Sequence, residues 1–136
     1  MSGVFGSVLV LAVAGCSSVY DSLPTTPTPV IVTDVFTGTI NVNGASSHPF
    51  FTSATGTVTA TLTSLGETPP TNVGFSLGTF TGATCSIVTG LFIDKAVVNS
   101  VLQGTVSTLG GSLCVRIYDV GSVTAPVTYE IKVQHP

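Results

Sequence analysis

The chain has 136 residues, the length of a single domain. Only 7% of them are charged and the formal net charge is −3, whereas an average soluble domain is about 25% charged. The basic residues Lys95, Arg116 and Lys132 do not cluster, so they would neutralise few phosphates. The composition therefore excludes a nucleic-acid-binding protein and disfavours adhesion to an acidic surface.

Residues 1–15 have the pattern of an export signal. The apolar run Val4–Gly15 has about the length of a signal-peptide core and is too short to span a bilayer. It ends in Val13-Ala14-Gly15-Cys16, which resembles the bacterial lipobox, although no Lys or Arg precedes the run. The resemblance implies that residues 1–15 are removed and that Cys16 is lipidated. A plain secretory signal, or an apolar strand or helix with an incidental cysteine, is the alternative.

Residues 16–29 are predicted to form a tether between the lipid anchor and the domain. Pro24, Pro27 and Pro29 alternate there with threonine, and uncharged proline-rich stretches are extended and resist helix formation. Ser17, rather than aspartate, follows Cys16. In the lipoprotein resemblance this favours the outer membrane, so we expect an exported protein anchored in the cell envelope.

From residue 30 onward, β-branched and aromatic residues alternate with polar ones between turn signals. The segment Gly90–Asn99 fits either a strand or a helical turn. The predicted strands are Val30–Val32, Phe36–Val42, Pro49–Thr52, Thr57–Thr63, Val73–Leu77, Cys85–Val88, Val101–Val106, Leu113–Asp119 and Val127–Val133. About eight short strands without a convincing helix predict an all-β domain over residues 30–136. The fold expected is a single antiparallel β-sandwich, jelly-roll-like.

The alternation also predicts which side chains face the core. Val58, Ala60 and Leu62 should point inward between outward threonines. In the next strand Val73, Phe75 and Leu77 should point inward, and Gly74, Ser76 and Gly78 should lie on the other side. The pair Asn43-Gly44 is typical of a tight turn.

The cysteines fit an exported domain. If Cys16 is lipidated, Cys85 and Cys114 remain, and an oxidising compartment favours their pairing in a disulfide. Two free buried thiols are the first alternative. A metal site is disfavoured because no second cysteine stands at metal-binding spacing and because His48 and His135 are isolated in the sequence.

Five strand segments form a recurring pattern: Phe36–Ile40, Phe50-Phe51, Gly56–Leu62, Cys114–Asp119 and Tyr129–Val133. Together they resemble the bacterial pre-peptidase C-terminal type β-sandwich, over about Val35 to Val133. The resemblance implies a non-catalytic domain of a kind that binds calcium, polysaccharide or collagen in some members. Asn72-Val73-Gly74-Phe75 stands where many members have an acidic strand, which puts calcium binding in doubt.

Three sets of residues are candidates for chemistry. Gly74-Phe75-Ser76-Leu77-Gly78 matches the nucleophile-elbow pattern of α/β-hydrolases, with Asp94 or Asp119 and then His135 following in the order of such a triad. No helix is predicted after Gly78, as that fold would require, so a hydrolase using Ser76 is only a remote alternative. Asp34, Asp94 and Asp119 are weak calcium candidates, since calcium needs six or more oxygen ligands.

Phe50 and Phe51 are the candidate ligand contacts. Adjacent residues of a strand point to opposite faces, so one of the two rings should be exposed. We expect no cofactor and no catalysis, and a domain that binds a polysaccharide or another envelope protein. The alternative is a structural component that pairs with partners through its sheet edges. An exposed aromatic patch on a sheet face would favour the first function, and a long unprotected edge strand the second.

Overall fold

The computed structural model describes residues 25–136. The regular elements in this range are eight β-strands: β1 (Val32–Ile40), β2 (Ala45–Thr52), β3 (Gly56–Ser64), β4 (Val73–Phe80), β5 (Cys85–Ala96), β6 (Val101–Val106), β7 (Gly111–Tyr118) and β8 (Val127–His135). Among these residues there is no helix with the length and apolar character needed to cross a bilayer. The predicted signal segment, and Cys16 with it, lies outside the described residues.

The strands form two four-stranded antiparallel sheets. The first sheet has the order β1-β8-β3-β6 and the second has the order β2-β7-β4-β5. The pairs are nested: β4 pairs with β5, β3 with β6, β2 with β7 and β1 with β8. The chain therefore folds as one long antiparallel hairpin rolled into two layers, which is a jelly roll. The predicted all-β sandwich is confirmed.

The core lies between the sheets and is made by the alternating side chains of the inner strands. Val58, Ala60 and Leu62 of β3 are at most 2% exposed, as their alternation predicts. Ile131 and Val133 of β8 pack with them in the same apolar cluster. Threonine occupies the intervening outward positions of β3, so this strand presents hydroxyl groups to the solvent.

The turn at Asn43-Gly44 forms as predicted, but it does not make a hairpin. Gly44 N donates a hydrogen bond of 2.9 Å to the carbonyl of Asn41, and Asn43 has a φ of 55°, a conformation that asparagine tolerates. The turn connects β1 of the first sheet to β2 of the second. In place of the predicted strands Val30–Val32 and Phe36–Val42 there is one strand, β1, which begins at Val32 and ends at Ile40 before this turn.

The ambiguous segment Gly90–Asn99 belongs to a strand as far as Ala96. It continues from the predicted strand Cys85–Val88, and together they form the twelve-residue β5. Its register against β4 shifts twice, and between Ile87 and Phe92 several residues have no partner across the pair. Such bulges interrupt the two-residue alternation, which is why the sequence alone separates β5 into two pieces.

The strand β4 is buried on both sides, which the alternation did not predict. All residues from Val73 to Gly78 are buried. A Cβ added to Gly74 would lie 2.0 Å from a ring carbon of Tyr118, and one added to Gly78 would lie 2.2 Å from the carbonyl oxygen of Ser86. The small side chains thus let neighbouring strands cover the outer side of β4.

The predicted disulfide between Cys85 and Cys114 is confirmed. The two Cα atoms are 5.8 Å apart, although Cys85 begins β5 and Cys114 lies in β7, with β4 between these strands in the sheet. The bridge therefore holds the start of β5 over the outer side of β4. This arm and the bridge account for the burial of Gly78.

The edges of the two sheets at β1 and β2 meet through a histidine. Nε2 of His48 (β2) and the hydroxyl of Tyr129 (β8) form a hydrogen bond of 2.7 Å, and the ring of Phe36 (β1) stacks on the imidazole at 4.9 Å between centroids. Burial lowers the pKa of His48 below its ordinary value of 6.5. A Cβ at Gly38 would lie 2.5 Å from the hydroxyl oxygen of Tyr129, so glycine leaves room for this contact.

Candidate functional site

The outer side of the second sheet carries the candidate site. The strand registers place Ser47 opposite Arg116, Arg116 opposite Ser76, and Ser76 opposite Phe92. Residues that lie directly opposite each other in neighbouring strands project to the same side of a sheet. These four residues therefore form one row across β2, β7, β4 and β5. Their inward neighbours Val115, Phe75 and Ile93 belong to or pack against the apolar core, so the row faces outward.

Tyr118 and Asp94 extend this row on the same side. The hydroxyl of Tyr118 donates a hydrogen bond of 2.9 Å to Oδ1 of Asp94. The guanidinium carbon of Arg116 lies 5.4 Å from the centre of the Tyr118 ring, within the range of a cation–π contact. We call Phe92, Asp94, Arg116 and Tyr118 the Arg116 cluster.

The local sequence explains how Tyr118 is positioned. Gly74 lies opposite Tyr118 in the register of β4 and β7, and its missing side chain leaves the space that the tyrosine ring fills. The ring therefore lies flat enough along the sheet for Arg116 to approach its face. A cation held against a ring face in this way keeps its remaining N–H groups available to a ligand.

The surroundings of Tyr118 raise the pKa of its phenol above the ordinary value of 10. Burial raises the pKa of Tyr118, the hydrogen bond and the negative charge of Asp94 raise it further, and the positive charge of Arg116 opposes these effects. The phenol consequently remains a hydrogen-bond donor to Asp94. The cluster presents a guanidinium donor and a carboxylate acceptor that both contact Tyr118.

The cluster combines polar groups with an exposed apolar ring. Phe92 is 47% exposed, Asp94 is exposed, and Arg116 and Tyr118 are half-buried. Sugars present apolar C–H faces and hydroxyl groups that both donate and accept hydrogen bonds. An exposed ring beside a guanidinium and a carboxylate offers a partner for each of these features. The arrangement therefore offers the types of group that carbohydrate recognition uses.

Phe50 and Phe51, the contacts predicted from the sequence, do point to opposite sides. Phe50 is only 7% exposed, and its ring packs 5.0 Å from that of His135. Phe50 is thus a core residue and does not offer its ring to a ligand. Phe51 is 61% exposed and lies on the outer side of the second sheet, at the far end of the edge strand β2 from Ser47.

Ser76 and His135 do not form a catalytic pair. Ser76 is fully buried in β4 of the second sheet, whereas His135 ends β8 of the first sheet. Nε2 of His135 forms a hydrogen bond of 3.0 Å with Asp34, not with Ser76. Among the described residues, Ser76 Oγ is the one buried side-chain polar atom with no hydrogen-bond partner. Ser76 lies inside a strand, whereas a nucleophile elbow requires an exposed turn between a strand and a helix.

The three calcium candidates serve three separate contacts. Asp34 binds His135, and Asp94 accepts from Tyr118. Asp119 accepts backbone N–H bonds from both the β1–β2 turn and the loop after β7, and these bonds lower its pKa. Within residues 25–136, no group of three or more histidine, cysteine or acidic side chains could hold a metal ion. The structure therefore does not bring the three aspartates together.

A shallow pocket opens between the β5 and β6 edges of the sandwich. Its volume is about 220 Å³, and its floor is formed by core side chains that include Val58, Leu77 and Leu113. Pockets that enclose small-molecule ligands usually measure about 300–1,000 Å³. The pocket is smaller than this range and holds no charged residue, so the Arg116 cluster is the better candidate for recognition of a polar ligand.

Sequence reasoning missed the Arg116 cluster, although the sequence contains part of its signal. In the strand that contains Val115-Arg116-Ile117-Tyr118, alternation places Arg116 and Tyr118 on one side. Only the strand order brings Phe92 and Asp94 to the same side.

A comparison with models of known protein families gives no match, and a comparison with curated protein sequences gives none either.

Proposed function

We propose that the protein is a non-catalytic lipoprotein of the bacterial cell envelope whose sandwich domain binds a polysaccharide through the Arg116 cluster. One observation carries this proposal: an exposed phenylalanine and a guanidinium–phenol–carboxylate network lie in one region of a solvent-facing sheet surface. Jelly rolls with this kind of open sheet face occur among lectin domains. Fold analogy adds only modest support, because one fold serves many functions.

The rigidity of the surface supports a binding role. Arg116 and Tyr118 lie on the central strand β7, which pairs on both sides, and the disulfide at Cys114 fixes the same strand to β5. A site on paired strands is held in place before the ligand arrives, so binding loses less conformational entropy. This favours affinity for an extended, repetitive ligand even when each sugar contributes little.

The anchor part of the proposal rests on the sequence before the domain. Cys16 would carry the lipid, and sixteen residue steps separate it from Val32, the start of β1. An extended chain reaches at most about 3.3–3.6 Å per residue, so the tether could place the domain up to about 55 Å from the anchor. That reach would let the sheet surface meet polysaccharide away from the bilayer.

Cosedimentation with insoluble polysaccharides tests the binding function. The full chain, expressed with its leader and purified in detergent, would be mixed with peptidoglycan, chitin and cellulose. We expect at least one of these to retain the protein, and we expect Phe92→Ala and Arg116→Gln each to weaken the retention at least tenfold. Phe51→Ala is the matched control, because Phe51 is an exposed phenylalanine on the same side of the same sheet.

Three results would contradict this function. Unchanged retention of Phe92→Ala would remove the Arg116 cluster from the interaction. A loss with Phe51→Ala alone would place the contact at the end of β2 instead. Failure of every polysaccharide to retain the wild-type chain would reject carbohydrate binding and leave an envelope protein as the ligand to seek.

The anchor is tested separately with Cys16→Ala. Intact mass and partitioning into the detergent phase would be measured for the parent and the variant. We expect the parent to gain the mass of acyl chains and enter the detergent phase, and the variant to do neither. Retention of the leader by a soluble parent protein would contradict the lipoprotein assignment without affecting the binding site.

A further inference from the structure

The four edge strands of the sandwich differ in how well they resist pairing with another chain. Edge strands expose unpaired backbone groups, and proteins block them with proline, bulges or short length. The edge strand β2 carries Pro49 at its middle, β5 has two register shifts, and β6 has only six residues. Each of these three edges is thus unsuited to adding a strand.

The fourth edge, β1, has none of these features. It runs for nine residues and pairs with β8 in one unbroken register from Val32 to Ile40. The strand contains no proline and no lysine, and its one charged side chain, Asp34, is bonded to His135. A long, regular edge with a single charged side chain is the kind that accepts another strand.

Exposed apolar side chains concentrate at the same edge. Val35 is 56% exposed on the outer side of β1, and Val30, Ile31 and Val32, at the entry to the strand, are 79%, 58% and 43% exposed. Three consecutive exposed aliphatic residues are unusual for a solvated chain segment, and pairing would cover part of this surface.

We propose that β1 pairs antiparallel with β1 of a second copy, so that the two first sheets join into one eight-stranded sheet. A two-fold dimer interface presents the same patch from both subunits, and antiparallel pairing of one strand with its own copy meets that requirement. The register that pairs all nine residues is centred on Phe36, the middle of Val32–Ile40.

The β1 sequence is compatible with its own copy in this register. On the outer side, Val35 would lie opposite Thr37 of the second copy, and Thr33 opposite Thr39. Cross-strand pairs of threonine and of β-branched residues stabilise antiparallel sheets. On the inner side, Asp34 would lie opposite Gly38, so the two carboxylates do not face each other. No like-charge pair opposes the association.

The test uses charge pairs placed by this register. In Val35→Lys/Thr37→Lys, each new lysine would lie opposite a lysine of the second copy, whereas in Val35→Glu/Thr37→Lys each lysine would lie opposite a glutamate. Within one chain Val35 lies opposite Lys132 and Thr37 opposite Glu130, so the second variant also meets an opposite charge on β8 at both positions. The matched control is Val101→Lys/Gln103→Lys on the opposite edge, β6. Val101 is 51% exposed and lies in the same row across the sheet as Val35.

The measurement is sedimentation equilibrium of the full chain in a density-matched detergent, with the circular dichroism spectrum of each variant as a check on folding. We expect dimers for the wild-type chain, the β6 control and the lysine–glutamate variant. For the lysine–lysine variant we expect monomers, with the dissociation constant raised at least tenfold.

A monomeric wild-type chain would overturn the proposal. So would a lysine–lysine variant that still dimerises as tightly as the control. If the lysine–glutamate variant is folded yet fails to recover the dimer, the register centred on Phe36 is wrong. Polysaccharide retention by the monomeric variant would be unaffected, because the Arg116 cluster lies on the other sheet.

Discussion

The disulfide between Cys85 and Cys114 gives the most direct test of how this domain is held together. It joins the first residue of β5 to β7 across the intervening strand β4, so its loss frees the arm that covers Gly78. The change is the double substitution Cys85→Ala/Cys114→Ala, which removes the bridge without leaving an unpaired thiol in the domain.

The size of the effect follows from the length of the loop. The bridge closes a loop with a sequence separation of 29, and constraining such a loop in the unfolded chain stabilises the fold by about 3.5 kcal/mol on the chain-entropy estimate. The folded unit spans about 105 residues, for which the unfolding entropy is about 220 cal/mol/K at roughly 2.1 cal/mol/K per residue. The melting temperature should fall by about 15 °C.

Thermal unfolding followed by circular dichroism measures this shift. The wild-type chain would be compared with the double variant under oxidising conditions, and again with a thiol reductant. Reductant should lower the melting temperature of the wild-type chain to about that of the variant and should leave the variant unchanged. Melting of the oxidised wild-type chain and the variant within about 2 °C of each other would contradict a stabilising role of the bridge.

Three further substitutions test other parts of the fold by thermal unfolding. Gly74→Ala should strongly destabilise the domain, because its new Cβ would lie 2.0 Å from the Tyr118 ring. Gly111→Ala is the control, because the atom nearest to its new Cβ would be 3.6 Å away. Equal losses of stability in the two variants would contradict the close contact at Gly74. Ser76→Ala should leave stability unchanged or raise it by up to about 1 kcal/mol, because the hydroxyl has no partner; a large loss would reveal a hydrogen bond. Burial lowers the pKa of His48 in the folded protein below the ordinary value of 6.5. As the pH drops below about 6.5, the unfolded chain therefore binds a proton on His48 more readily than the folded protein does. Stability should therefore decline below that pH, and His48→Phe should reduce the decline; an identical pH profile for both proteins would argue against it.

The sequence alone determined the fold class and the core-facing side of most strands. The alternation in Thr57–Thr63 requires that Val58, Ala60 and Leu62 share one side, and burying them is the favourable choice. Cysteine number and the expected export together predicted the Cys85–Cys114 bridge. Adjacency likewise required that Phe50 and Phe51 point to opposite sides. These properties follow from a few neighbouring residues or from simple counts, so they can be read without knowing which strands pair.

Which strands pair was decided only by the tertiary structure. The order within each sheet joins strands far apart in the chain, such as β1 with β8, and local alternation cannot specify a distant partner. The strand order in turn buried Ser76, separated Asp34 from Asp94, and brought Phe92 to the same side of the second sheet as Arg116 and Tyr118. It also left β1 as an unblocked edge. The physical reason is that alternation fixes the side to which a residue points, whereas a binding surface depends on which strands lie next to each other.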